Sequence, residues 1–117
     1  MVLPKTVTLS FPFNSLQLIN YTPANYAYYN TYLPLINADS QLGSEITFIK
    51  VNGVTTNTTS GVNGNFFLGS QSGNNIYTGT ASTTLSTASS IFFYTYIKLV
   101  AIKNSSGTYG WYVVNVN

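Results

Sequence analysis

Hydrophobic and polar side chains alternate with a period of two along much of this chain, and that alternation predicts β-strands. The pattern is clean from Thr6 to Phe11 and weaker from Ser15 to Thr22, where Leu16, Leu18 and Tyr21 carry it. No stretch of useful length shows the 3.6-residue period of a helix. About eight or nine short strands, with turns every eight to twelve residues, predict an all-β fold, an antiparallel, jelly-roll-like β-sandwich.

The clearest local signal lies in the middle of the chain. An alternating run from Ile46 to Val51 is followed by Asn52-Gly53 and then by Val54 to Thr56. Asn-Gly between two such runs predicts a hairpin, because both turn positions of a type I′ turn need positive φ. Two further short strands, at 65–68 and 75–78, are predicted between glycines.

Two strong strands are predicted near the C-terminus, from Ile91 to Ile102 and from Tyr109 to Val116. The Ser, Thr and Ala stretch from Thr80 to Ser90 is predicted to be a surface loop or an irregular edge. The segment from Tyr26 to Leu35 is predicted to be an edge strand, because Pro23 and Pro34 bracket it.

The length of 117 residues fits one domain. Residues 33–117 form the predicted β module, and residues 1–32 are a candidate anchoring or strand-exchange arm. No signal peptide is recognisable at the start, and the most apolar stretch is too short to span a bilayer, so no membrane partner is expected.

Charge is almost absent, with four lysines and two acidic residues in the whole chain. Scattered lysines without any arginine argue against nucleic-acid binding, which needs a basic cluster. Asn, Thr and Ser number 14, 16 and 13, so the polar surface is neutral. Because charged residues are only 5% of the chain, little electrostatic repulsion keeps copies apart. Assembly into a homo-oligomer is therefore expected.

Histidine and cysteine are both absent, which removes the commonest general base, zinc ligands and thiol nucleophiles. Asp39 and Glu45 are the only carboxylates, and a glycosidase would need such a pair. Both flank a predicted turn, where acids are ordinarily solvated, so we expect no enzyme and no cofactor. Asp39, repeated around a trimer axis, is a candidate cation ligand.

A tyrosine cluster is the candidate ligand or partner surface. It comprises Tyr26, Tyr28, Tyr29 and Tyr32, next to Asn25 and Asn30. Aromatic rings stack on sugars and amides bind hydroxyls, so a cell-surface glycan is one candidate ligand. The alternative is that alternate rings pack against the protein's own core or a neighbouring subunit. Trp111 is a weaker candidate for the same surface, because a core position suits it better.

The run Ile91, Phe92, Phe93 and Tyr94, which continues to Ile97, is apolar, β-prone and uncharged. Such a segment aggregates when it is exposed. We therefore expect it to be central or to form an oligomer interface.

Several motifs, in one order from Leu33 to the C-terminus, resemble a module of viral fibre proteins. They are Leu33-Pro34, the strand after Gly43, the turn region Gly73 to Gly79, the apolar strand Tyr96 to Ile102 and a final Gly110-Trp111. The resemblance is to tail-fibre and appendage proteins of bacteriophages and large DNA viruses. It implies a homotrimeric all-β appendage domain without catalysis, on the outside of a virion. Residues 1–32 have no counterpart, and no shaft repeat precedes the module.

The sequence thus predicts a non-enzymatic virion surface protein, a fibre, appendage or capsid decoration. Its expected partners are further copies of itself and other virion proteins, with a host glycan as a candidate ligand. One alternative is a subunit of an extracellular filament or surface layer, because a neutral β-domain also suits open-ended packing. A carbohydrate-binding module that uses the tyrosine cluster is the third hypothesis.

Overall fold

The computed structural model describes residues 3–20, 26–51, 54–62, 65–79 and 85–117. These residues form eleven strands and one short 3₁₀ turn. The strands are β1 (Leu3–Thr8), β2 (Leu16–Ile19), β3 (Tyr26–Tyr32), β4 (Glu45–Lys50), β5 (Thr56–Asn57), β6 (Phe66–Gly69), β7 (Asn75–Thr78), β8 (Ser86–Ala88), β9 (Ser90–Ile91), β10 (Tyr96–Lys103) and β11 (Tyr109–Val116). The 3₁₀ turn covers Asp39–Gln41, between β3 and β4.

The strands form two sheets that pack face to face, so the predicted all-β sandwich is confirmed. The first sheet has the order β1-β3-β6-β5, with β9 also paired to β6. The second sheet has the order β2-β4-β10-β11-β7-β8. Both sheets are mixed, since five of the nine pairings among the described residues are parallel, where an antiparallel arrangement was expected.

The parallel pairings follow from the path of the chain. The chain passes from one sheet to the other after β1, β2, β3 and β4 in turn. A strand that returns to the same sheet after such a passage can run in its earlier direction. This is why β3 lies parallel to β1, and β4 lies parallel to β2. Residues 3–20 and 26–32 thus supply three strands to the two sheets.

The predicted Asn-Gly hairpin does not form a paired unit. Its turn residues, Asn52 and Gly53, lie outside the described residues, but the flanking strands belong to different sheets. Both edges of β4 are occupied, by β2 on one side and by β10 on the other. No edge of β4 is therefore left for β5, which pairs with β6 instead.

The single strand predicted from Ile91 to Ile102 is also wrong. Ile91 ends β9 in the first sheet, and Tyr96 begins β10 in the second. Residues 92–95 carry the chain between the two sheets. The predicted loop from Thr80 to Ser90 contains β8 and the start of β9, while residues 80–84 lie outside the described part.

The core lies between the sheets and is built from the inward side of each alternating strand. Ile46 and Phe48 on β4, Ile97 and Leu99 on β10, and Phe66 on β6 are all fully buried. The neighbouring positions on β4 and β10 face outward, as period two requires. The alternation in the sequence therefore indicates the inner face of the second sheet correctly.

Trp111, on β11, is the largest side chain in the core and has no exposed surface. The ring of Phe11 is stacked with it at a centroid distance of 6.3 Å, and Phe13 packs edge-on at 5.9 Å. The indole Nε1–H donates to the carbonyl oxygen of Pro34 at 2.9 Å. One side chain thereby joins the second sheet to the β1–β2 and β3–β4 connections.

Replacement of this side chain tests the role of that junction. Trp111→Ala should lower the free energy of unfolding by about 3–5 kcal/mol, because it removes a fully buried aromatic ring and leaves a cavity. The measurement is urea unfolding followed by far-ultraviolet circular dichroism. Tyr94→Ala is the control, because Tyr94 is 74% exposed and its loss should change stability by no more than about 0.5 kcal/mol. Equal losses of unfolding free energy for the two variants would contradict the role of Trp111 as the central core contact.

Candidate functional site

The predicted tyrosine surface is divided between the two faces of β3. Tyr29 points toward the core, with its ring centroid 5.8 Å from that of Phe66. Tyr28 and Tyr32 lie on the outer face by alternation, and the Tyr32 ring packs edge-on to Phe67 at 5.6 Å. The side chain of Tyr26 lies outside the described residues. The tyrosines therefore do not form one platform, and β3 lies between β1 and β6 rather than at an edge.

The segment after β5 lies across the outer face of the first sheet. Gly61 donates its backbone N–H to Asn30 Oδ1 at 3.3 Å, and Ser60 Oγ lies 3.3 Å from the Tyr32 hydroxyl. Ser90 Oγ donates to the Thr58 carbonyl at 2.9 Å. Asn30 is buried and Tyr32 is half-buried. The face is thus partly covered by the chain itself.

Trp111 has no place on a ligand surface, because its ring is fully buried. It lies in the core, which is the position that its sequence context favours. It supports the fold from inside, and a ligand could reach it only if the sandwich opened.

The predicted interface at Ile91 to Tyr94 is divided as well. Phe93 is 1% exposed and belongs to the core of the sandwich, where it packs edge-on to Phe66. Its assignment to an oligomer interface is therefore corrected. Phe92 is 45% exposed and packs edge-on to Tyr94, while Ile91 is half-buried against the core. Of the four residues in this run, Phe92 and Tyr94 present large apolar surface outward.

Lys50 binds the segment 92–95, which connects the two sheets, and was not predicted as a site residue from the sequence. Its Nζ donates to Thr56 Oγ1 at 2.9 Å and to the carbonyl oxygen of Phe93, and it lies 4.8 Å from the Phe93 ring centroid. Burial lowers the pKa of this amine. The signal was available, because Lys50 continues the inward series of Ile46 and Phe48.

The two carboxylates belong to two different ion pairs. Asp39 accepts hydrogen bonds from Lys103 Nζ, at 3.0 Å, and from the Tyr109 hydroxyl, at 2.6 Å. Glu45 pairs with Lys98 at 3.3 Å. Within the described residues, no group of three His, Cys, Asp or Glu side chains could hold a metal ion. Lys103 and Tyr109 both donate to the Asp39 carboxylate, and a cation site shared around a trimer axis stays a prediction.

The outer face of the second sheet also carries exposed apolar side chains, which the sequence did not predict as a site. Leu16 and Leu18, on β2, are 52% and 61% exposed. By cross-strand register, Leu18 lies beside Ile49, and Ile49 lies beside Tyr96. The alternation predicts that these leucines lie on a strand. It does not predict that they are exposed, because it separates the two faces of a strand without showing which face is covered.

An uncharged hollow of about 490 Å³ lies next to this strand. Leu9, Ser10, Phe13, Asn14 and Gln17 are among the residues that line it. Among the described residues, no charged side chain contributes to the lining. These residues therefore offer neither acid–base chemistry nor a partner for an ionic ligand.

Comparisons with known proteins give no relative. No family model, curated protein or solved structure matches this chain. In the described part of the chain, no helix has the length and apolar character to cross a bilayer. Any function must therefore be inferred from the surfaces themselves.

The Asp39 cluster generates a pH-dependent prediction. The hydrogen bond from Tyr109, and then Lys103, lowers the pKa of Asp39, while the hydrogen bonds to Asp39 raise the pKa of Tyr109 and of Lys103. The contribution of Asp39 to stability is lost as the pH falls through its lowered pKa. The contributions of Tyr109 and Lys103 are lost as the pH rises through their raised pKa values.

Asp39→Asn should therefore lower the melting temperature most between these two limits, and its effect should shrink at both acid and alkaline pH. The measurement is the melting temperature of both proteins across the pH range. In a Tyr109→Phe background, the same change should cost less, because one partner is already lost. An effect of Asp39→Asn that depends neither on pH nor on background would contradict the hydrogen-bonded cluster.

Proposed function

We propose that this protein is a non-enzymatic, self-assembling structural module on the outside of a virion, as a fibre, appendage or capsid-decoration domain. The observation that carries the proposal is the outer face of the second sheet. There, Leu16 and Leu18 are more than half exposed in a chain with only six charged side chains. Soluble monomers rarely leave contiguous apolar surface open, so such a face is suited to contact with another protein.

The low charge supports contact between identical copies. The outer face of the second sheet carries a cation and an anion, Lys98 and Glu45, which pair with each other. Two copies that meet there bring no net charge from this pair toward each other, so little repulsion opposes their association. A partner of strong charge would find no complement in this ion pair.

Absence of histidine and cysteine from the sequence supports a structural role over catalysis, as does the state of the two carboxylates. Asp39 and Glu45 each serve a different lysine. A retaining or inverting glycosidase needs two carboxyl groups that share one cleft. The two carboxylates form separate surface ion pairs, an arrangement that favours a structural role for them over catalysis.

The resemblance to viral fibre modules supplies the virion location and the trimer in this proposal. Its motif residues Leu33, Ile46, Ile76 and Trp111 are all fully buried. They belong to the core of this chain, so a surface that contacts other virion proteins would lie elsewhere. The assembly state is thus the property to measure.

The mass in solution tests the proposal. Light scattering coupled to size exclusion, at two protein concentrations, should give a fixed multiple of the 12.7 kDa chain, and three chains is the value that the resemblance implies. Growth that continues with concentration would support the filament or surface-layer alternative. A mass of one chain at both concentrations would contradict self-assembly.

A further inference from the structure

The edge of β2 that faces away from β4 has no strand partner among the described residues. Thr47 N–H donates to the Ser15 carbonyl at 2.7 Å, and Val51 N–H donates to the Ile19 carbonyl at 2.9 Å. Backbone groups of a strand point alternately to its two sides. The N–H and C=O groups of Leu16 and Leu18 therefore point toward the open side of β2.

β2 is short, with four residues, but its edge lacks the two other features that normally protect one. Exposed edges are usually short, charged or interrupted by proline. β2 contains neither charge nor proline, and its two leucines are exposed. By contrast, β1, at the edge of the first sheet, contains Pro4 and Lys5. β8, at the other edge of the second sheet, has only three residues.

We propose that β2 pairs with β2 of a second copy, antiparallel and across a two-fold axis centred on Gln17. This inference rests on the proposed self-assembly and names the strand edge, next to that outer face, through which two copies join. Directly opposite residues of an antiparallel pair can exchange both backbone hydrogen bonds. With Gln17 on the axis, Leu16 lies opposite Leu18 of the second copy, and all four open backbone groups of each β2 find partners.

The side chains support the same register. Leu16 and Leu18 lie on the outer face, so each leucine meets a leucine of the second copy as a cross-strand neighbour. The nearby row of Ile49 and Tyr96 continues the apolar surface on each side. β8 offers Ser, Thr and Ala, which could not cover two leucines, so pairing of β2 with β8 of a neighbour fits less well.

The two-fold contact has a consequence for stoichiometry. An isologous contact closes on itself and joins copies in pairs. Alone it gives two chains, and combined with a three-fold axis it gives six. The two six-stranded sheets would then continue as one sheet of twelve strands through each contact.

A single cysteine at the axis tests the register, because the native chain has none. In the proposed register, Gln17 lies opposite Gln17 of the second copy as a non-hydrogen-bonded pair. The two Cα atoms are then about 4.5 Å apart, which is within the range of a disulfide. Gln17→Cys should oxidise mostly to a covalent dimer under native conditions and should lose this preference in urea. Ser105→Cys, in the exposed turn between β10 and β11, is the matched control and should form little covalent dimer.

A second variant measures the same contact without a cross-link. Leu18→Lys should raise the dissociation constant at least about 100-fold, because two leucines are lost from each contact and two charges are placed near the axis. Val114→Lys, on another exposed position of the second sheet, should leave the mass unchanged. Trp111 fluorescence reports whether each variant is folded.

The outcomes separate this inference from the proposed function. An even number of chains, with selective cross-linking of Gln17→Cys, supports both. Three chains without that cross-link would overturn the two-fold contact and leave self-assembly standing. Equal cross-linking of the two cysteine variants would also overturn the register. A wild-type monomer at every concentration would overturn both proposals.

Discussion

The buried Trp111 ring joins three segments of the chain that are distant in sequence. The ring lies in the second sheet, packs against Phe11 and Phe13, and donates its N–H to the Pro34 carbonyl. Because β1, β2 and β3 lead into or out of these segments, the positions of these strands depend on how the ring is packed. The exposed edge of β2 is therefore set by a contact inside the core.

Uncharged amides stabilise the loops where other proteins use ion pairs. Asn74 is buried and makes a reciprocal pair with the backbone of Ile36, donating to its carbonyl and accepting from its N–H. Gln71 Nε2 donates to the carbonyls of Leu9 and Leu33. Buried polar groups contribute to stability only when they are paired in this way. The fold therefore needs few charges, and its surface remains neutral enough for identical copies to meet.

Local sequence patterns predict the strands better than their partners. The alternation identifies β4, β10 and β11, and it places Ile46, Phe48, Ile97 and Leu99 on one inner face. The Asn-Gly signal fails to predict pairing because the edges of β4 are taken by strands distant in sequence. A pairing between strands that are distant in sequence produces no pattern in the residues next to β4. The alternation also does not predict how often the chain passes between the sheets. It therefore does not predict the parallel pairings that follow from these passages.

The candidate surfaces show the same limit. Alternation alone would have divided Tyr29 from its neighbouring tyrosines, and it would have placed Lys50 inward. The sequence left open which residues around Phe93 are in the core and which are exposed, because this run is apolar throughout and shows no alternation. Exposure of Leu16 and Leu18 depends on what covers β2 in three dimensions, which is a property of the whole fold. The surface we assign to assembly is therefore one that the sequence did not indicate.

Amide hydrogen exchange at β2, resolved residue by residue in the assembled protein, distinguishes a paired edge from an open one. Gln17 and Ile19 face β4 and should be protected in any folded state. Leu16 and Leu18 face the open edge, so their amides are protected only if a second copy accepts them. Protection of all four amides, lost from Leu16 and Leu18 on dilution, is the predicted result. Fast exchange at Leu16 and Leu18 in the assembled protein would contradict the two-fold contact.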